Sequence, residues 1–250
     1  MPAAGAKRSE GSVKRRPVGG AARPGVAKTQ AAKTQAAKTR AVKPLAAKRG
    51  EQTSRDLLLA AAHQEFASRG FEGARVDTIA AVAGVNKQLV YHHFGNKDDL
   101  YAKVLERAYD GIRERERSLD LGQLKPAAAM RRLIEMSFDY LAENRDFVFL
   151  LTDENLHRGK HLKQIVNLQR LNTPLLGTLD DILKRGAEEG LFRKGMDPLQ
   201  VYISIAGLGF FYFNNIYTLS AIFGRNLDGA AEVAVRRRHV VEMMMSALRP

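Results

Sequence analysis

The sequence lacks the residues and motifs on which most enzyme active sites depend. It contains no cysteine among its 250 residues, which excludes disulfides, thiol catalysis and cysteine metal sites. It also has no glycine-rich phosphate-binding loop and no serine in a nucleophile-elbow motif. No pair of carboxylates stands apart from the many acids expected on solvated helix faces. We therefore expect a protein that is not an enzyme and that holds no cofactor and no metal.

Only one long stretch is free of charge, and it is a poor membrane span. Pro198 to Gly224 carry no formal charge and are long enough to cross a bilayer. The stretch contains adjacent asparagines, Asn214 and Asn215, whose amides are costly at the middle of a bilayer. We interpret it as a buried helix and expect no membrane association. No apolar region follows the basic N-terminal residues, so we expect no secretory signal, and an organelle transit peptide is the alternative.

Acidic residues are almost absent from the first 50 positions. These positions hold 13 lysines and arginines and one acid, Glu10, out of 40 cations and 27 acids in the whole chain. The remaining 27 cations and 26 acids give residues 51–250 a net charge of about +1. The chain's net charge of +13 therefore belongs to its N-terminal extension.

Residues 26–50 carry a five-residue repeat with one lysine in each unit: VAKTQ, AAKTQ, AAKTR, AVKPL and AAKRG. Five residues turn an α-helix by about 500°, so successive lysines would lie about 140° apart and form no single face. Because the segment has few large apolar side chains to offset its ordering entropy, we predict that 1–50 is a disordered, Lys/Ala-rich arm. Such an arm suits a polyanion such as DNA, and the alternative is a solubilising tail without a further role.

From residue 51 onward the apolar pattern is helical, with no alternating strand pattern and no hairpin signal. The first helix is predicted to begin after Thr53 as N-cap and to stop at Gly70. Asn96, with Asp99 three residues later, predicts the N-cap of a helix that reaches about residue 117. The predicted fold class is all-α.

Prolines divide the second half of the chain into further helices. Pro126, Pro174 and Pro198 are interpreted as lying near helix starts, where a missing N–H costs least. The remaining helices are predicted at about 76–83, 87–94, 126–144, 146–157, 160–171, 174–189, 198–222 and 229–248.

Residues 76–94 carry the pattern of a helix-turn-helix. Ala80 is small where the two helices of such a motif cross, and Gly84 is a turn residue that tolerates a positive φ. The apolar residues that would lock the second helix onto the first are Ile79, Ala83, Val85 and Val90. On this spacing alone, a pair of packed helices with an incidental glycine is the alternative interpretation.

The second helix of this motif would present groups suited to DNA. Asn86 is placed to cap the helix, so that its N-terminus points at phosphate or base edges. The exposed set combines cationic, amide and aromatic groups, which match phosphate oxygens and base edges: Lys87, Gln88, Tyr91 and His92.

The segment from Gly70 to Leu105 resembles the N-terminal domain of the TetR family of transcriptional regulators. The residues that meet the family hallmark are Ala83, Gly84, Val85, Tyr91, Phe94, Lys97 and Leu100. The resemblance implies a three-helix DNA-binding domain at 51–98 and a helical ligand-binding and dimerisation domain at 99–250. It also implies a bacterial-type, cytoplasmic, nucleoid-associated repressor that binds a palindromic operator as a homodimer and is released by an unknown small-molecule effector.

The resemblance also assigns the DNA-contacting positions. It puts the second motif helix in the major groove with these residues at the DNA: Asn86, Lys87, Gln88, Tyr91 and His92. Lys97 holds the position of the family's phosphate-contacting lysine. His93 fills a position that is usually histidine, with a phosphate contact and a packed or capping role left as equal alternatives.

Two departures from the family pattern concern the operator. Members often have threonines at the start of the first motif helix, where this chain has Ala74, Arg75 and Val76. Arg75 could replace a threonine–phosphate contact by a charge-assisted one, and an ordinary surface arginine is the alternative. The common glycine-threonine pair of the second helix is replaced by Gln88 and Leu89, so no relative's operator is carried over.

The second half of the chain is expected to form the dimer and to bind the effector. Helices at about 174–189 and 198–222, together with the last helix, are predicted to form the intersubunit bundle. The residues proposed for the ligand pocket are Asp153, His157, His161, Arg170, Tyr202, Tyr212, Asn214 and Tyr217, with ordinary surface or core packing as the alternative for each. His157 and His161 have a metal-compatible spacing, but Gly159 between them indicates a break, so no metal site is expected.

Overall fold

The computed structural model describes residues 53–166 and 168–250 of the chain, apart from the side chains of residues 169–172. The extension at 1–50, with the predicted disordered arm, lies outside the described residues. Within them every regular element is helical, which confirms the all-α fold class. The α-helices are α1 (Ser54–Gly73), α2 (Val76–Ala83), α3 (Lys87–Phe94), α4 (Lys97–Arg117), α5 (Pro126–Glu143), α6 (Arg145–Leu156), α7 (Leu168–Glu188), α8 (Pro198–Asn214), α9 (Ile216–Phe223) and α10 (Ala230–Ala247).

Local sequence signals mark the start of α1, an interruption within it and the end of α2. The Thr53 hydroxyl caps α1 by accepting a hydrogen bond from the Asp56 N–H at 3.4 Å. Gly70 takes a φ of 67° and interrupts α1, at the residue where the sequence predicts a stop. Gly84, with a φ of 69°, ends α2 in the left-handed conformation that the turn of the motif needs.

α1 joins the N-terminal helices to the remainder of the fold. It packs against α2, α4 and α6, so its apolar face is covered on several sides. Phe66 lies at the centre of this contact, with its ring centroid 4.8 Å from that of Tyr101 in α4. Both side chains are fully buried. The three N-terminal helices are therefore held on a hydrophobic core that they share with α4 and α6.

α4 is a helix of 21 residues that contributes buried side chains to this core along its length. The Asn96 side chain caps it by accepting a hydrogen bond from the Asp99 N–H at 2.9 Å, as the sequence predicts. Its buried stripe runs at helical spacing through Leu100, Val104 and Ala108. α4 packs against α1 and α3 as well as against α5 and α7.

α5 is central among the C-terminal helices. It packs against α4, α6, α7, α8 and α10, and its buried residues include Met130, Ile134 and Phe138. α10 is fastened to it by Arg237, whose guanidinium donates two hydrogen bonds to the Asp139 carboxylate, at 2.7 and 2.8 Å. Such a two-pronged pair fixes orientation as well as distance, so the last helix is held in register on α5.

The helix predicted at 160–171 and the helix start predicted at Pro174 are wrong. Arg158 and Gly159 take positive φ values, a short 3₁₀ turn occupies Leu162–Gln164, and α7 begins at residue 168. Pro174 therefore lies inside α7. A proline is least costly in the first turn of a helix. A helix can nevertheless extend N-terminally beyond a proline when tertiary packing outweighs the lost hydrogen bond.

The single helix predicted at 198–222 is divided in two. Asn215, with φ −111° and ψ 11°, separates α8 from α9, and its side-chain amide donates to the Phe211 carbonyl at 2.8 Å. Asn214 turns to accept a hydrogen bond from the Thr152 hydroxyl. Asparagine amides compete with backbone hydrogen bonds, which is why the helix ends here. In the described part of the chain, no helix is both long and apolar enough to cross a membrane.

Candidate nucleic-acid interface

α3 is a short helix with one buried face and one free face. Val90 and Phe94 are buried against the other N-terminal helices. Gln88, Tyr91 and His92 are exposed on the opposite side, and 47% of the Tyr91 surface is accessible. The helix therefore presents an amide, a phenol and an imidazole together, as the sequence predicts for a DNA-reading helix.

Asn86 begins this helix in the capping role that the sequence assigns to it. Its side-chain oxygen accepts a hydrogen bond from the Gln88 N–H at 2.9 Å. The oxygen is thereby occupied, and the amide NH₂ is the part of Asn86 that remains for a DNA contact. The capped N-terminus carries the positive end of the helix dipole, which favours a nearby phosphate.

Lys87 is exposed, but its charge is already paired. Its ammonium lies 2.8 Å from the Asp77 carboxylate of α2 and 6.0 Å from the centroid of the Tyr91 ring. The hydrogen bond to Asp77 raises the pKa of Lys87, so the side chain stays cationic. Because both partners are open to solvent, the pair is screened, and a DNA phosphate can replace Asp77 as the partner.

Arg75 stands at the start of α2 with its backbone fixed and its side chain free in solvent. Its N–H donates to the Glu65 carboxylate at 3.2 Å, and Glu65 is only 9% exposed. Glu65 also lies 3.4 Å from the Arg69 guanidinium. Glu65 was not among the predicted residues, although an acid on the otherwise apolar face of α1 is a signal of such a positioning role.

Lys97 and His93 are half-buried at the edge of the same surface. The Lys97 ammonium donates to the Glu72 carbonyl at 3.3 Å and lies 4.8 Å from the centroid of the Phe71 ring. The His93 ring lies beside that of His92, with the centroids 5.2 Å apart. Lys97 thus contacts the last residues of α1, and its ammonium remains partly accessible to solvent.

The sequence analysis also missed Arg55. This exposed arginine of α1 lies with its guanidinium carbon 5.3 Å from the centroid of the Phe94 ring, at the C-terminal end of α3. None of the eight residues predicted to contact DNA is fully buried. The structure places all of them on the three N-terminal helices, in the turns beside them or at the first residue of α4: Arg75, Asn86, Lys87, Gln88, Tyr91, His92, His93 and Lys97.

Asp153 joins the N-terminal helices to α6. One of its carboxylate oxygens accepts hydrogen bonds from the Phe71 N–H and from the Tyr101 hydroxyl, both at 2.8 Å. Burial, reinforced by the Asp153 carboxylate, raises the pKa of Tyr101. Gly70 is needed at this point because a Cβ there would stand 2.7 Å from the other Asp153 oxygen. Asp153, in the last turn of α6, thus connects the end of α1 with the N-terminal part of α4.

Glu154 and His161 form a second buried contact beside the first. Glu154 is 1% exposed and accepts hydrogen bonds from the His161 N–H at 2.7 Å and from the Leu162 N–H at 3.0 Å. Its other oxygen lies 2.7 Å from His161 Nδ1. His161 Nε2 faces the Asp98 carboxylate of α4 at 3.4 Å. The segment after α6 is therefore pinned to both α6 and α4.

His157 lies on the rim of this cluster. Its Nδ1 is 2.8 Å from the Asp153 carbonyl, and its Nε2 is 3.6 Å from the Glu72 carboxylate. The backbone contact, with the two acids behind it, raises the pKa of His157. Three residues predicted for the ligand pocket, Asp153, His157 and His161, therefore come together at the junction with the N-terminal helices. Among the described residues no three potential ligands are placed to hold a metal ion.

The other predicted pocket residues are distributed over α7, α8 and α9. The Tyr212 hydroxyl donates to the Leu227 carbonyl at 2.5 Å, and Asn214 is bonded to Thr152. Tyr217 is 65% exposed. The side chain of Arg170 lies outside the described residues. For all eight residues, a ligand contact stays a prediction.

A charged pair buried at the end of α4 is the feature that the sequence analysis missed. Arg113 is 2% exposed and Glu116 is 7% exposed, and the two ions lie 2.6 Å apart. Arg113 also donates to the Tyr202 hydroxyl at 3.1 Å, so Tyr202 belongs to this group. Burial raises the pKa of Glu116 to about 7, although Arg113 and Arg117 act against this shift. The available signal is the i,i+3 spacing of opposite charges on the stripe that continues from Ala108.

The pair borders a cavity between the end of α4, the turn after it and α7. Its volume is about 250 Å³, at the small end for a ligand site. Besides the charged pair, its lining includes Leu121 and Leu175. The combination of apolar walls with a few convergent polar groups is typical of a small-molecule site.

Comparisons with known proteins agree with this architecture. The family model described as "Bacterial regulatory proteins, tetR family" matches residues 58–104. A second family model, "Tetracyclin repressor-like, C-terminal domain", matches residues 126–244. The first covers the helix-turn-helix, and the second runs from the start of α5 into α10, so residues 113–122 at the cavity lie between the two models.

Individual relatives extend the similarity over most of the chain. The HTH-type transcriptional repressor NicS of Pseudomonas putida is 35% identical over 181 residues, which is 72% of this chain and 85% of NicS. The HTH-type transcriptional repressor SCO4008 of Streptomyces coelicolor is 36% identical over 45% of this chain and 55% of its own length. The crystal structure of SCO4942 from the same species aligns with a TM-score of 0.59 at 29% identity, over 79% of this chain and 100% of that one.

Proposed function

The chain belongs to the TetR family and is a DNA-binding transcriptional repressor, and from this premise we propose that it holds a palindromic operator as a homodimer until a small molecule releases it. The family is one of regulators and not of enzymes, and we propose no catalytic activity for the chain. Its place of action is then the compartment that holds the DNA, the bacterial cytoplasm, in association with the nucleoid.

The observation that carries the proposal is the free face of the capped helix α3. Gln88, Tyr91 and His92 are exposed on one side of a helix whose other side is buried. We assign base contacts to these three, because amide, phenol and imidazole groups can pair with base edges in the major groove. Lys87 and Lys97 are assigned to phosphates, to which they contribute charge without reading sequence.

The dimer is proposed on an uncovered apolar surface of the C-terminal helices. Large hydrophobic side chains are exposed along α8, α9 and α10: Leu199, Ile203, Phe211, Tyr217, Ile222, Phe223, Val235 and Met243. A monomer seldom leaves so many large apolar groups in water, and a two-fold pairing of this surface with itself would cover them. Two copies would then present two α3 helices, which is what a palindromic site requires.

Release is proposed to pass through the junction around Asp153. Asp153 and Glu154 belong to α6, yet their carboxylates hold Phe71, Tyr101 and His161. A ligand that changes the position of α6 or α4 therefore changes the seating of the DNA-binding helices. Such a ligand shifts the population toward an arrangement in which the two α3 helices no longer fit two half-sites.

The test is a selection of genomic DNA fragments by two proteins, the full chain and a truncation that begins at Arg49. If both enrich the same short palindrome, with half-sites about one helical turn or a multiple apart, the proposal stands. The regular lysines of residues 26–50 favour a second candidate, an architectural protein that coats DNA without sequence preference. In that case the full chain binds all fragments with similar affinity and the truncation binds none.

A further inference from the structure

The guanidinium of Arg113 is buried with most of its hydrogen-bonding capacity unused. Nη2 donates to the Tyr202 hydroxyl at 3.1 Å. Nη1 lies 2.6 Å from a Glu116 oxygen, but neither it nor Nε makes a geometrically sound hydrogen bond with any residue that the structure describes. Since the side chain is only 2% exposed, water does not freely replace the missing acceptors.

Buried donors without acceptors are costly, and a guanidinium carries five of them. A purely structural arginine at this position would be expected to have its fork satisfied by carbonyls or by a carboxylate in line with it. Glu116 does not provide this, because it lies three residues further along α4 and makes its contact at Nη1. Arg113 borders the cavity, so an acceptor that arrives from there and displaces Glu116 can take the fork.

The cavity limits what such an acceptor can be. Leu121, Pro174 and Leu175 form apolar walls, and the volume of about 250 Å³ favours a small ligand. Glu116 and Asp120 line the same cavity, so a dianion such as phosphate would meet two acids. A single negative charge attached to a compact apolar body fits both the walls and the guanidinium.

We propose that Arg113 and this cavity bind a small monocarboxylate with an apolar body, whose carboxylate accepts hydrogen bonds from the Arg113 guanidinium. The inference rests on the proposed repressor with its small-molecule effector, and it adds the chemical class and the site of that effector. On binding, the ligand carboxylate replaces the Glu116 carboxylate as the partner of Arg113. Glu116 gives up this contact because burial already favours its protonated form.

The groups around Glu116 are consistent with this exchange. It faces Arg113 and Arg117 of its own helix and Tyr140 of α5, while Asp120 follows in the turn after α4. Once a ligand carboxylate takes Arg113, the main attraction that keeps Glu116 ionised is lost. Binding of the anion is then accompanied by uptake of a proton, and the site stays close to neutral.

The position of the site gives it a route to the DNA-binding helices. Arg113 lies near the C-terminal end of α4, and Tyr101, near the other end of the same helix, is bonded to Asp153. A rigid α-helix transmits a tilt or shift at one end to the other. A ligand between α4 and α7 can therefore alter the junction without touching it.

The experiment measures binding of four probes to the full chain in the absence of DNA, by titration calorimetry. Benzoate and hexanoate are the carboxylates, and benzamide and hexanamide are their neutral counterparts of the same shape. At least one carboxylate is expected to bind at least about tenfold more tightly than its amide, the difference that charge-assisted hydrogen bonds provide. Repeating the titration in buffers of different ionisation enthalpy should show proton uptake.

Three variants locate the site. Arg113→Lys keeps the charge but loses the fork, and the double variant Arg113→Met, Glu116→Gln removes both charges without stranding either one. Both are expected to lose the preference for carboxylate over amide. Arg115→Gln is the matched control, because Arg115 is an exposed arginine of the same helix that does not border the cavity. Its preference should equal that of the unmodified chain.

The outcomes separate this inference from the proposed function. Amides that bind as well as carboxylates, a preference that survives both Arg113 variants, or no binding by any probe would each overturn the monocarboxylate site. Operator release is then scored separately with the same probes. Release by a neutral compound that ignores Arg113 would keep the effector-controlled repressor and reject this site, whereas Arg113-dependent carboxylate binding without release would keep the site and reject its role as effector site.

Discussion

Replacing Asp153 with alanine tests whether one carboxylate holds the DNA-binding helices to the C-terminal helices. The side chain is 19% exposed and accepts hydrogen bonds from the Phe71 N–H and the Tyr101 hydroxyl. Alanine removes the acceptor and leaves a backbone N–H and a buried hydroxyl without their partner. Both donors then bear part of the desolvation cost that the hydrogen bonds had offset.

The expected cost follows from these two bonds. A hydrogen bond to a charged group contributes about 1.5–3 kcal/mol, and partial solvent access at Asp153 reduces the sum. We therefore expect Asp153→Ala to lower the free energy of unfolding by about 2–4 kcal/mol. Asp153→Asn keeps one oxygen as acceptor but loses the charge, so its loss should be roughly half as large.

The assay is urea-induced unfolding followed by circular dichroism, at one protein concentration because dimerisation changes apparent stability. A double-mutant cycle with Tyr101→Phe isolates the bond between the hydroxyl and the carboxylate. Its coupling energy should be about 1–2 kcal/mol. Asp180→Ala is the control, because Asp180 is an exposed carboxylate paired with Lys184 on α7, and it should leave the unfolding midpoint unchanged.

Two results would refute the reasoning. If Asp153→Ala costs less than about 0.5 kcal/mol, the junction does not depend on this carboxylate. If the cycle is additive, the Tyr101 hydroxyl and Asp153 do not interact energetically, whatever the distance between them.

Four further predictions address other parts of the molecule. Gly84→Ala should cost about 1–2 kcal/mol of stability and weaken DNA binding, because a φ of 69° strains any side chain although the space is open; Asn at this position should cost less, and an equal cost for both would contradict the left-handed turn. Phe211→Glu, at a side chain 60% exposed on the proposed dimer surface, should yield monomers in sedimentation velocity with unchanged helix content. A dimer that persists would place the interface elsewhere. Gln88→Ala should reduce discrimination between operator variants by about 1–3 kcal/mol at one base pair, whereas Lys97→Ala should weaken all duplexes alike and lower the salt slope by about one. Equal losses for both variants across all duplexes would reject these roles. Because the pKa of Glu116 is raised from 4.5 to about 7, its contribution to stability is present at low pH and lost as the pH rises through that interval. Between those pH values the free energy of unfolding, measured by urea melts, should fall by about 1–3 kcal/mol less for Glu116→Gln than for the unmodified chain. Parallel pH profiles of the two proteins would contradict the raised pKa.

Local sequence signals determined the DNA-binding helices almost completely. Thr53, Gly84, Asn86 and Asn96 act within one turn of themselves, through caps and a left-handed turn, so their effect does not depend on distant residues. The helix bounds at 76–83 and 87–94 agree with the structure for this reason. The exposed face of α3 follows from the same helical periodicity, and the family hallmark lies in this region.

The C-terminal helices were less well determined because their limits depend on tertiary contacts. Pro174 was expected at a helix start and lies inside α7, and an uninterrupted helix was expected where Asn215 separates α8 from α9. In both cases the local preference is weak, and neighbouring helices decide between conformations of similar energy. The Thr152 hydroxyl that holds Asn214 is distant in sequence, so no local pattern contains it.

The roles of individual polar residues were decided only by the tertiary structure. The sequence singles out Asp153 and His161 only as candidate pocket residues and does not single out Arg113, and nothing in their spacing assigns the first two to the junction and the third to the cavity. Folding brings Asp153 to Phe71, 82 positions away, and Arg113 to Tyr202, 89 positions away. The role of a buried charged group depends on the groups that surround it and on its removal from water. Both are set by the packing of the folded chain.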